Sequence, residues 1–171
     1  MKTILELTDS DYDSVMAHLL PQNSNREQAA FLFATSERTA FETKFRVIET
    51  RQLEPRDFAV QQVYYIEIHD ETRAGLIKRA HDLDASLIEI HSHLGPWPAE
   101  FSASDRHGLC ETVPNMFWRL NKRPYLALVV TERDFDALVW IDDPLIPRRL
   151  DALEAGKRTM MSTNRSLGSW T

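Results

Sequence analysis

The chain holds a single cysteine, Cys110, so neither an internal disulfide nor a zinc cluster built from several thiolates is open to it. It also lacks any excess of basic residues. Twenty lysines and arginines stand against 26 aspartates and glutamates, a formal net charge of −6. Proteins that grip a nucleic-acid backbone need a dense basic footprint, and this composition argues against a nucleic-acid partner. No apolar run approaches the length of a bilayer span, which argues against a membrane-embedded protein. The opening MKTILELTDSDYDS turns acidic where a secretory signal stays apolar, so the expected compartment is the cytoplasm. Internal repeats and low-complexity segments are missing too.

The rest of the composition is that of a soluble globular domain. A chain of 171 residues, 43% hydrophobic and 27% charged, can bury one sizeable core. Residues 9–20 start with capping residues and carry apolar side chains at helical spacing, which predicts a short helix. The loop PQNSN leads into EQAAFLFAT, a buried-looking run. TKFRVIETRQL and VQQVYYIEIH read as strands, ETRAGLIKRAHDL as a helix and SLIEIH as a short apolar strand. A helix between VQQVYYIEIH and SLIEIH predicts that those two strands run parallel. SASDRHGLCETVPNMFWRL predicts a helix kinked or divided at Pro114. YLALVVT and DALVWID predict two further strands. The whole predicts an α/β domain over residues 1–150, a mixed central sheet flanked by helices, followed by a polar and partly mobile tail over 151–171.

One stretch departs from this plain reading: IEIHSHLGPWPAEFSASD. Side chains two apart on a strand share a face, so His91 and His93 can aim both imidazoles at one point. Two imidazoles and one carboxylate suit a divalent transition metal with an open position, and Asp105 is the nearest carboxylate placed to be third. Ser102 to Asp105 also has the spacing of a helix capping box. The two readings are compatible, because a capped first turn presents Asp105 rigidly. His107, Asp82, Asp84, Glu89 and Glu100 read as surface or loop charges, Cys110 as a helix-face hydrophobe, and Phe117, Trp118 and Trp140 as core. Trp97 reads either as a groove-lining lid or as a buried loop anchor.

HSH followed by LGPWPAEF and SASD resembles the JAMM motif of the MPN/JAB metalloproteases, with the family's upstream glutamate matched by Glu27 in NREQAAFLFAT. The resemblance covers residues 10–142. Its spacer is one residue longer than the family pattern, and Leu94 stands where the family commonly has proline. It implies an MPN/JAB-like domain with cytidine-deaminase-like layering and a Zn2+ ion held by His91, His93 and Asp105. It further implies that Glu27 moves a proton and that Ser102 donates to an oxyanion. The implied activity is zinc-dependent cleavage of peptide or isopeptide bonds after the C-terminus of a ubiquitin-like protein. Small bacterial members of this type accompany activating and conjugating enzymes, including those of antiphage operons, which are the implied partners. The other readings are a non-catalytic MPN scaffold and a zinc hydrolase processing a sulfur-carrier-type or other small substrate.

Overall fold

The computed structural model describes residues 1–170. An eight-stranded mixed sheet, curled on itself, carries helices on both faces. The elements in chain order are β1 (Lys2–Leu7), α1 (Asp9–Leu19), β2 (Ala29–Arg38), β3 (Glu42–Gln52), β4 (Phe58–Gln61), β5 (Ile66–Ile68), α2 (Asp70–Asp82), β6 (Ser86–Ser92), α3 (Ala103–Arg119), β7 (Tyr125–Val130), β8 (Phe135–Trp140), β9 (Ala152–Ala155), β10 (Arg158–Met160) and the single turn α4 (Arg165–Gly168). The sheet order is β10-β9-β1-β3-β2-β6-β7-β8, and β4 and β5 form a separate hairpin.

The central strands are apolar throughout because both of their faces are covered. All of β7 and β8, and the first six residues of β2, are buried. One face packs Phe31, Phe33, Leu87 and Trp140 against Leu76 and Ile77 of α2 and Leu109, Val113 and Met116 of α3. The other gathers Leu32, Phe45, Ile88, Leu126 and Leu128 with Val15 and Leu19 of α1. Burying a side chain of this size contributes roughly 1.5–3 kcal/mol, so this two-sided core is a main source of the fold's stability.

Three sequence expectations are corrected. VQQVYYIEIH is not one strand. It contributes to the β4–β5 hairpin, outside the main sheet, where Gln62 N–H donates to the Tyr65 carbonyl across the turn. The parallel neighbour of β6 is therefore β7, reached through α3. The helix α3 runs unbroken through Pro114. The hydrogen bond that proline removes would have ended on Cys110, on the exposed side of the helix, where water can serve the carbonyl. Finally, residues from Asp151 onward are not a tail added to a domain ending at 150. β9 pairs in parallel with β1 and brings Leu153 and Ala155 into the core. Two apolar residues in a short polar context gave no period for the sequence to show.

Side-chain placement differs at single positions as well. Trp118 is 79% exposed while its neighbour Phe117 and Trp140 are buried, so Trp118 lies on the outer face of α3. Cys110 is exposed rather than packed. Among the described residues no helix is long and apolar enough to cross a membrane.

Candidate metal centre

The end of β6 and the start of α3 meet next to the N-terminal end of β2. Ala29 pairs with His91 in the antiparallel β2–β6 ladder. The ladder continues one step beyond the strands, with Ser92 N–H donating to the Gln28 carbonyl at 2.9 Å and the Gln28 N–H donating to Ser92 Oγ at 2.9 Å. This register sets Glu27 opposite His93, on the face shared by Ala29 and His91. On the other side His93 N–H donates to the Val130 carbonyl at 2.9 Å, so extended backbone persists to His93 as the H-x-H reading requires.

The capping box forms as the spacing predicts. Ser102 Oγ accepts from Asp105 N–H at 3.1 Å, and Asp105 Oδ2 accepts from Ser102 N–H at 2.7 Å. The acidic side chain in the first turn also suits the positive end of the helix dipole. This fixes the carboxylate against both imidazoles: His93 Nε2 lies 3.1 Å from Asp105 Oδ2, and His91 Nε2 lies 3.7 Å from Oδ1. The two Nε2 atoms are 3.2 Å apart.

These spacings fit a metal. Three ligands of a tetrahedral ion, each at about 2.0–2.1 Å, stand about 3.3 Å from one another. One potential ligand atom from each of His91, His93 and Asp105 lies within 4.8 Å of the others. Two imidazole nitrogens and a carboxylate oxygen are the donor set of open-site divalent transition metals. His91 is buried against Phe101, whose ring meets it edge to face at 5.9 Å.

The electrostatics follow from burial and proximity. Burial pushes the Glu27 carboxyl up, and Asp105 adds to it; His91 and His93 pull the other way, leaving the group raised to about 7. Glu27 is 3% exposed, and its carboxylate stands 3.9 Å from His93 Nε2, near the three ligands but outside their set. For Asp105 burial also acts upward, but hydrogen bonds from His91 and His93 outweigh it and hold the carboxyl well below the usual range. His91 moves the opposite way: burial disfavours its charged form, while Asp105 more than compensates and raises it.

All five residues singled out from the motif thus come together. Glu27, read alone as a polar-loop charge, is buried by the ladder extension. Trp97 is 74% exposed and lines a groove with Glu27, His93, Ser102 and Tyr64, so it is not a buried anchor. Ser102 is exposed in that groove; it uses an oxygen lone pair for the cap, which leaves its O–H free to donate.

Two features escaped the sequence reading. Glu89 is not a surface charge: it is half-buried on β6, and the Tyr125 hydroxyl donates to its Oε2. The spacer loop is held from behind by the C-terminal segment. Phe101 N–H donates to Ser166 Oγ at 2.8 Å, and Ser166 N–H donates to Asp136 Oδ2 at 2.8 Å. A charged residue inside the apolar strand FDALVW was the one available signal.

No family model matches this chain, and no curated protein matches it. Fold and site define a mixed α/β domain carrying a partly buried two-histidine, one-carboxylate group that can hold a metal ion.

Proposed function

We propose that the chain is a JAMM-type zinc metallopeptidase that hydrolyses peptide or isopeptide bonds after the C-terminus of a ubiquitin-like protein. The observation that carries this reading is the placement of Glu27. A nearly buried carboxylate, held by backbone pairing opposite His93 and 3.9 Å from its Nε2, stands where a proton carrier beside the ligand group would have to stand. A zinc ion held by His91, His93 and Asp105 would supply Lewis-acid chemistry and a water acidic enough to ionise near neutral pH. Glu27 accepts the proton of the attacking water and returns it to the leaving amine, a role suited to a carboxylate whose affinity for protons is raised toward neutrality. The free O–H of Ser102 donates to the carbonyl oxygen as it gains negative charge. Asp105 does two jobs: Oδ2 accepts from Ser102 N–H in the cap and also faces His93 Nε2, while Oδ1 faces His91, so the capped carboxylate completes the ligand set.

The test uses zinc-loaded protein and a ubiquitin-like protein fused through its C-terminal glycine to a reporter. Glu27→Ala is expected to keep about one zinc per chain by elemental analysis and to lose roughly 10²–10⁴ in turnover. His93→Ala is expected to lose both. A zinc-loaded Glu27→Ala protein that cleaves at the wild-type rate sinks the proposed proton path.

A further inference from the structure

On the face of the sheet away from the metal group, a pocket of about 330 Å³ opens between α1, β10 and the turn that joins β7 to β8. Its floor is Leu32 of β2, Ile90 of β6 and Leu128 of β7, all members of the core layer on that face. Ile90 immediately precedes His91, and successive strand residues point to opposite faces, so the sheet separates an occupant of this pocket from the ligand group. The pocket is a second site and does not rest on the peptidase reading.

Size, walls and rim define what it can hold. Protein interiors leave few voids larger than a water molecule, and an apolar hollow of about 150 Å³ already takes a benzene ring. This pocket has about twice that volume, enough for a chain of roughly ten carbons. Three of the chain's five methionines, Met16, Met160 and Met161, line it. The unbranched, polarizable methionine side chain adapts readily to an apolar guest. The two buried side-chain polar atoms without a hydrogen-bond partner, Trp140 Nε1 and Asn164 Oδ1, belong to residues that do not line it. A water inside would need about two to four polar partners, and the apolar floor offers none.

The rim sets the other end of the occupant. Glu132 and Arg133, consecutive in the turn, are both exposed, and neither forms an ion pair among the described residues. The carboxylate of Asp134, the remaining charge, is turned to Ala99 N–H at 2.7 Å and the Thr131 hydroxyl at 2.9 Å. One acid beside one guanidinium favours neither sign of charge, whereas a hydroxyl can donate to the first and accept from the second.

We propose that this pocket binds the hydrocarbon chain of a neutral amphiphile, an alkyl chain whose uncharged polar end stays at the Glu132–Arg133 rim. Concave sites with apolar walls and a few polar groups at one end are the usual form of small-molecule sites.

The test uses the full chain and the uncharged dye N-phenyl-1-naphthylamine, displaced by straight-chain alcohols from hexanol to tetradecanol. Displacement is expected to saturate at one site per chain. Each added methylene is expected to tighten binding about fourfold, and the gain to stop near ten carbons, where the chain outgrows the pocket. Decanoate and decylammonium are expected to bind no tighter than decanol. Met16→Trp on α1 and Met160→Trp on β10 fill the pocket from two different elements, and each is expected to weaken decanol about tenfold or more. Circular dichroism identifies the variants that fold, and the length series in wild-type protein needs neither. Affinity that climbs through the whole series without a break is adsorption to the surface and overturns the proposal. So does decanol binding unchanged in a folded tryptophan variant, or a charged decyl compound about tenfold tighter than decanol. An apolar peptide that displaces the dye where no alcohol does assigns the pocket to a protein partner and overturns it as well.

Discussion

Under the proposed mechanism Ser102 serves two purposes that experiment can part. Its oxygen accepts from Asp105 N–H as the helix cap, and its proton is free to donate. Replacing serine by glycine at an N-cap costs only a few tenths of a kcal/mol, whereas alanine costs about 1 kcal/mol. Both remove the donor, which is worth about 10²–10³ in turnover. Ser102→Gly is therefore expected to melt close to wild type and still lose activity on that scale, while Ser102→Ala loses both. Glu27 allows a second separation, in metal-free protein. Its carboxyl is raised to about 7, above the ordinary value it regains on unfolding. A raised carboxyl contributes stability below the unfolded value, near 4, and loses it as pH rises through 7. With chelator present, the melting advantage of Glu27→Gln over wild type is expected to grow between pH 4 and 8. A gap that is flat across that range would show that Glu27 is not held in a desolvated site.

At the scale of elements, the centre depends on a segment far from it in sequence. Buried Asp136 on β8 accepts from Ala137 N–H, Ser162 Oγ and Ser166 N–H, and Ser166 in turn holds Phe101 beside His91. Removing that carboxylate leaves several buried donors unserved, each costing about 1–3 kcal/mol. Asp136→Ala is expected to lose about 3 kcal/mol in urea unfolding. It is also expected to weaken zinc binding in a competition titration, because the loop that seats Phe101 is released. Unchanged zinc affinity in a folded Asp136→Ala protein would mean that the spacer loop holds its shape without the C-terminal segment.

For the whole molecule, the two core layers lie on opposite faces of one sheet, and the ligand group sits beyond them at the C-terminal end of the interior strand β6. The fold is therefore not organised around the ion. Chelation is expected to lower the melting temperature while leaving far-ultraviolet circular dichroism intact, since a ligand that binds only the folded state adds RT ln(1 + [L]/Kd). A random-coil spectrum on metal removal would contradict this. The same titration should weaken as pH falls. Asp105 raises the proton affinity of His91, and an imidazole must be neutral to hold a metal, so protons compete for the site.

The sequence by itself determined what local chemistry determines. A period-two pattern marked β3, period-3.6 patterns marked α1, α2 and α3, and short unbroken apolar runs marked β6, β7 and β8, which are covered on both faces. The ligand group was equally legible: H-x-H needs only an extended backbone, and the capping box needs only one helical turn. Pairing was not legible. Which strand lies beside which depends on contacts far apart in sequence, so the β4–β5 hairpin read as a strand of the main sheet, and β9 read as part of a tail although its partner β1 lies at the other end of the chain. The same limit hid the burial of Glu89 and the link from Asp136 to Phe101. A carboxylate in a strand looks alike whether it faces solvent or a tyrosine hydroxyl from the neighbouring strand. Only the tertiary structure, by fixing the β2–β6 register, turned Glu27 from a charge in a polar loop into a buried group facing His93.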